Sequence, residues 1–141
     1  MNAHDREICL EGLEGGGHRL TPQRREVYDV LLSGRDHPTA TEVFLRAKGR
    51  IPTISLATVY NCLETLVECG LVKQVNVERE ATRYCPNLEE HGHFVCDRCH
   101  KVTDVPLAGA SRLGKSWKLP AGFSVTSAEI TLRGVCAECD T

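Results

Sequence analysis

Four cysteines stand in two Cys-x-x-Cys pairs, Cys96 and Cys99 in GHFVCDRCHK and Cys136 and Cys139 in GVCAECD. Each pair wraps two thiols around one tight turn, and four thiolates from two such turns close a tetrahedral zinc site with no open position. The spacing therefore predicts structural Zn(II). A thioredoxin-type redox pair fits less well, because neither pair sits between a strand and a helix start. A nucleobase deaminase would need His-x-Glu and Pro-Cys-x-x-Cys, whereas this chain has His91-Gly92-His93 and Val95 before Cys96. The 36 residues between the pairs, 100 to 135, exceed a usual zinc-ribbon separation, so that segment is expected to fold as its own unit. A second constellation is Cys85-x5-His91-x-His93, with Asp104 shortly after the first pair. In a strand, residues two apart project to one side, so His91 and His93 can grip one ion beside a thiol and a carboxylate. This predicts a second metal site. Catalytic zinc would need an open coordination position and a general base, and no His-Glu-x-x-His or comparable pair occurs, which leaves a zinc-dependent enzyme as a remote alternative. Cys9, Cys62 and Cys69 read as small core residues.

These residues must be positioned by an ordinary globular chain, for 41% apolar and 26% charged residues over 141 positions exclude a disordered tail. The amino terminus carries acidic residues where a secretory signal has basic ones. No apolar run approaches the roughly 20 residues of a membrane span, so the expectation is a cytoplasmic protein with no membrane partner. In a reducing compartment, eight cysteines are poor disulfide candidates. A net charge of -2 argues against coating nucleic acid by bulk electrostatics, so any DNA contact must rest on local clusters such as Arg19, Arg24 and Arg25 or Arg46, Lys48 and Arg50.

After a weak amphipathic stretch ending in Gly15-Gly16-Gly17, Thr21 and Pro22 open a helix whose Val27, Val30 and Leu31 share a face. Thr39-Ala40-Thr41-Glu42 is a capping-box start for the next. Gly49 and Pro52 end it, and a third helix begins near Ser55 and stops at Gly70, with an apolar stripe of Leu56, Val59, Leu63, Leu66 and Val67. Residues 71–77 and 81–85 flank a polar turn and predict a β-hairpin. Further on, 113–119 reads as a short helix and 123–132 as a strand. Three helices followed by a hairpin is the order of a winged helix-turn-helix. Ser55, Thr58, Tyr60 and Asn61 cluster at the start of the third helix, where they can reach phosphates and base edges, with Arg24 as a phosphate contact. Glu64 and Glu68 restrict DNA contact to that start. The expected fold class is α+β, with a winged-helix DNA-binding domain over 1–84 and a metal-binding domain over 85–141 that carries the four-cysteine zinc site.

TPQR at 21–24, HPTA at 37–40, ATVYNCL at 57–63, GLVK at 70–73, HGHFVCDRC at 91–99 and GVCAEC at 134–139 occur together and in order. The chain in this respect resembles the ferric uptake regulator (Fur) family of bacterial metal-dependent repressors, over nearly its whole length. The resemblance implies a homodimer that binds a palindromic operator in double-stranded DNA, with residues 85–141 as a small α/β dimerisation domain. It also implies a regulatory metal held by His37, His91, His93 and Asp104 with a fifth ligand at position 85. There the chain departs from the iron- and peroxide-sensing members, which usually have a carboxylate; Cys85 resembles zinc-uptake regulators. His37 in HPTA and Asn61 after Val59-Tyr60 resemble the peroxide-sensing repressors. The implied regulatory ion is thus Fe(II) or Mn(II) in a peroxide- or iron-responsive repressor, alternatively Zn(II) in a zinc-sensing one. A second departure is His100, where glycine commonly follows the first cysteine pair; it has to tolerate a left-handed turn or shift the knuckle.

Overall fold

A computed structural model describes residues 21–34, 36–77, 79–89, 91–106, 118–126 and 128–140. The amphipathic stretch before Thr21, with Cys9 and Arg19, lies outside these residues, as does most of the short helix expected at 113–119. The chain divides into two compact units, Met1–Leu88 and Glu89–Thr141. Cys85 is held in a strand of the first unit, which runs on to Leu88. No helix among the described residues is long and apolar enough to cross a membrane.

The first unit contains α1 (Pro22–Gly34), α2 (Ala40–Ala47) and α3 (Leu56–Glu68), then strands β1 (Lys73–Val75) and β2 (Arg83–Cys85). Each helix starts where a side-chain oxygen satisfies an orphan amide. Thr21 Oγ1 accepts from Arg24 N–H at 3.2 Å, Thr39 Oγ1 from Glu42 N–H at 3.3 Å and Ser55 Oγ from Thr58 N–H at 3.1 Å. At the end of α3, Gly70 turns left-handed at φ 75. Its N–H then reaches Val67 O while Leu71 N–H reaches Leu66 O, both at 3.0 Å, which is the paired bonding that stops a helix and redirects the chain. Val27, Tyr28, Leu31, Val43, Val59, Leu63 and Leu66 interlock between the three helices. Leu56, expected in the apolar stripe, is instead 37% exposed at the helix start. β1 and β2 pair antiparallel with Gln74 opposite Tyr84, and Tyr84 turns into the core.

In the second unit, β3 (His91–Cys96) is the centre of a three-stranded sheet ordered β4-β3-β5, with β4 at Val102–Pro106 and β5 at Thr131–Gly134. β4 runs antiparallel to β3 and β5 parallel to it. The strand expected over 123–132 is therefore much shorter and starts later. β5 pairs only with residues 93–96 of β3, and Phe123 and Val125 lie outside any strand, 68% and 47% exposed.

Candidate metal centres and nucleic-acid face

The parallel pairing explains why the two cysteine pairs can be so far apart in sequence. Parallel neighbours need a long crossover, and here β3 and β5 end side by side with Cys96 opposite Gly134. Both Cys-x-x-Cys turns consequently open from the same edge. Asp97 N–H donates to Gly134 O at 2.8 Å and Arg98 Nη1 to Cys139 O at 2.7 Å, lacing one turn to the other. The sulfurs of Cys96, Cys99, Cys136 and Cys139 lie within 4.8 Å of one another. Cys99 and Cys136 stand 3.8 Å apart, the separation that two thiolates take at about 2.3 Å from a tetrahedral zinc ion. Amide N–H groups of Cys99 and Cys136 point at Cys96 Sγ from 3.5 and 3.4 Å, and they hold its pKa down to about 6. Hydrogen bonding within the cluster, first from Cys136, pushes Cys139 up to about 12. Four thiolates this close need a cation to hold their charge, and a divalent ion with soft affinity fits the donor set. His100 closes the first turn at φ 63, its N–H on Cys96 O at 2.9 Å, so it takes the left-handed conformation and the knuckle keeps its place.

On the same sheet, His91 and His93 stand two apart in β3, and the antiparallel register sets Asp104 of β4 directly opposite His93. The three side chains converge. His91 Nε2 lies 3.1 Å from His93 Nε2, and both nitrogens lie 3.3 Å from Asp104 Oδ1. Donors about 2.1 Å from one ion stand about 3.0 to 3.4 Å from each other, so these separations are those of three ligands on one face of a metal. Orientation is built in, because His91 Nδ1 sits 2.5 Å from the Glu89 carbonyl. A carbonyl only accepts, so Nδ1 carries the proton and the Nε2 lone pair faces the cluster. This backbone partner has no sequence signal.

In the first unit, His37 and Cys85 are both buried, and their ligand atoms lie within 4.8 Å of each other. They are 48 residues apart in number and meet because residues 37–39 lie along β2. Thr39 forms an antiparallel bridge with Arg83, Tyr84 N–H donates to Pro38 O at 3.0 Å, and Arg83 Nη1 donates to His37 O at 3.1 Å. His37 is left-handed at φ 55 directly before a proline. That conformation costs a non-glycine residue about 1 to 2 kcal/mol and persists only where the surroundings impose it.

The exposed stripe of α3 begins with Leu56, Ala57, Tyr60 and Asn61 and ends with Glu64 and Glu68. Tyr60 is 50% exposed and Asn61 exposed, so an aromatic ring and an amide stand at the anion-free start. The Ser55 and Thr58 hydroxyls, 2.9 Å apart, are turned to each other at the cap. Arg24 is half-buried, and its charge acts on the Cys62 thiol, which burial pushes up and Arg24 pulls back.

The sequence profile described as "Ferric uptake regulator family" matches residues 15–133. The peroxide operon regulator of Bacillus subtilis is 34% identical over 139 residues, 99% of this chain and 96% of that protein. Among solved structures, the Campylobacter jejuni peroxide stress regulator is 31% identical with a TM-score of 0.71, covering 99% of this chain and all of that one. The ferric uptake regulator Fur of Helicobacter pylori, described as having three functional metal-binding sites, is 21% identical and shares the fold with a TM-score of 0.75 over 96% of this chain and 93% of that one. On the strength of the matched profile and of relatives aligned end to end, the chain belongs to the ferric uptake regulator family.

Proposed function

We propose that the protein is a metal-dependent repressor that binds an operator in double-stranded DNA as a homodimer and is released by peroxide. The first unit is a winged helix whose α3 reads the major groove through Tyr60 and Asn61, with Ser55, Thr58 and Arg24 at the phosphates and the β1–β2 hairpin as the wing. The second unit dimerises and holds structural zinc at Cys96, Cys99, Cys136 and Cys139. The family resemblance puts a regulatory Fe(II) or Mn(II) on His37, His91, His93 and Asp104, and on the peroxide reading the Cys85 thiol is not required as a ligand. The observation that carries this reading is the convergence of His91, His93 and Asp104, with the His91 lone pair aimed by the Glu89 carbonyl. The peroxide response is supported by relatives over 30% identical that are named for it.

A second reading, a zinc-sensing repressor, rests on the buried Cys85 thiol, a softer donor than a carboxylate and one that favours Zn(II). One experiment separates the two. Operator complexes loaded with Fe(II), Mn(II) or Zn(II), on a duplex recovered by selection from random DNA, are challenged with peroxide for wild type and Cys85→Ala. The peroxide reading expects only the Fe(II) complex to release DNA, with an oxygen added to His37 or His91 by mass spectrometry, and expects Cys85→Ala to respond alike. Release from none of the three complexes, together with a tenfold or greater loss of Zn(II)-dependent binding in Cys85→Ala, would establish the zinc sensor instead.

A further inference from the structure

We propose that Arg83 is a positioning residue for the regulatory metal, acting through the backbone of His37; this rests on His37 being a ligand as read above. His37 occupies a left-handed conformation at φ 55, which the proline after it makes less favourable still. Something must impose it. On one side the Arg83 guanidinium donates Nη1–H to the His37 carbonyl at 3.1 Å, while Arg83 and Tyr84 hold Thr39 and Pro38 along β2. On the other side the Asp36 carboxylate receives both terminal nitrogens of Arg46, at 2.9 and 2.6 Å. The Glu42 carboxylate lies 3.9 Å from Arg46 and from Arg83, between the two halves of the clamp.

Two further observations describe the packing of this arrangement. A Cβ at Gly34 would stand 2.7 Å from Asp36 Oδ1 and 3.0 Å from Arg46 Nη1, so the Asp36–Arg46 pair lies directly against the end of α1 and a larger residue there would make the two side chains shift. Arg83 Nε is buried with no acceptor among the described residues, so the side chain is held in place through its Nη1 bond to His37 O. Arg83 and Cys85 stand two apart on one strand and share a face, so β2 brings the Cys85 thiol and the group that fixes the His37 backbone to one side. With the clamp in place the imidazole is aimed before metal arrives; without it, binding must order the 36–38 loop as well.

The test is a double-mutant cycle on the full chain with its four-cysteine zinc retained, reading the Mn(II) dissociation constant at the second site by competition with a chelating dye. Arg83→Met is expected to weaken Mn(II) about tenfold in the wild-type background and not at all in His37→Ala, and Arg83→Lys, which keeps a donor, to recover most of the loss. Equal losses in both backgrounds would mean that Arg83 acts through the hairpin rather than through His37, and no loss would also overturn the proposal. If His37→Ala itself leaves Mn(II) affinity unchanged, the ligand reading falls and the proposal with it. Should Arg83→Met fail to unfold cooperatively, Arg46→Met removes both bonds to Asp36 and breaks the clamp from the other side: a several-fold loss confined to the His37 background supports the proposal, and unchanged affinity rejects it.

Discussion

His100 shows how one residue can carry the strain of a metal turn. Its φ of 63 is a conformation that glycine adopts freely and a histidine adopts at a cost. Replacement by glycine removes that cost and adds back some unfolded-state entropy. His100→Gly is therefore expected to raise stability by roughly 0.5 to 1 kcal/mol with zinc content unchanged. Thermal unfolding beside metal analysis measures both, and a less stable protein would mean that the imidazole makes a contact worth more than the strain. Cys85 is the other residue on which specificity turns. Its thiol is buried on β2, and it is the residue that favours the zinc-sensing reading over the peroxide one.

At the scale of elements, the helix boundaries were legible because caps act over a few residues. Thr21, Thr39, Ser55 and Gly70 each bond within five positions, so each helix starts or stops where its sequence signal stands, although the Glu42 carboxylate lies near Arg46 and Arg83 and not at Thr39 N–H. The i, i+2 spacing of His91 and His93 likewise announced its own face. What sequence could not show were pairings between distant segments: the parallel β3–β5 ladder, the bridge from Thr39 to Arg83, and the register that sets Asp104 against His93. The alternation of Phe123 and Val125 suggested a strand, yet alternation produces one only where a neighbour offers a ladder, and β3 is already spent on residues 131–134. Besides its proposed place at the phosphates, Ser55 has a structural duty, since its Oγ accepts from Thr58 N–H at the helix cap. Ser55→Ala should therefore cost about 1 kcal/mol of folding stability. Asn61→Ala, exposed on the same helix, should leave unfolding unchanged and cost about 1 to 3 kcal/mol of operator binding with relaxed preference at one base pair. Chemical denaturation and a mobility-shift assay on both variants separate the roles; operator binding unchanged by Asn61→Ala would place the reading surface elsewhere.

For the whole molecule, a net charge of -2 means that DNA affinity cannot come from bulk attraction. It has to come from a small, correctly spaced surface. On the proposed reading the metal supplies that spacing, since an ion ligated from both units removes a freedom that would otherwise be lost on docking. Structural zinc and regulatory metal then have separable duties, the one holding the fold and the other setting affinity. The most direct measurement is fluorescence anisotropy of an operator duplex titrated with protein that retains its four-cysteine zinc, with and without Mn(II). The account predicts at least a tenfold gain in affinity on adding Mn(II), abolished by His91→Ala, whereas an operator bound equally well in both conditions would contradict it.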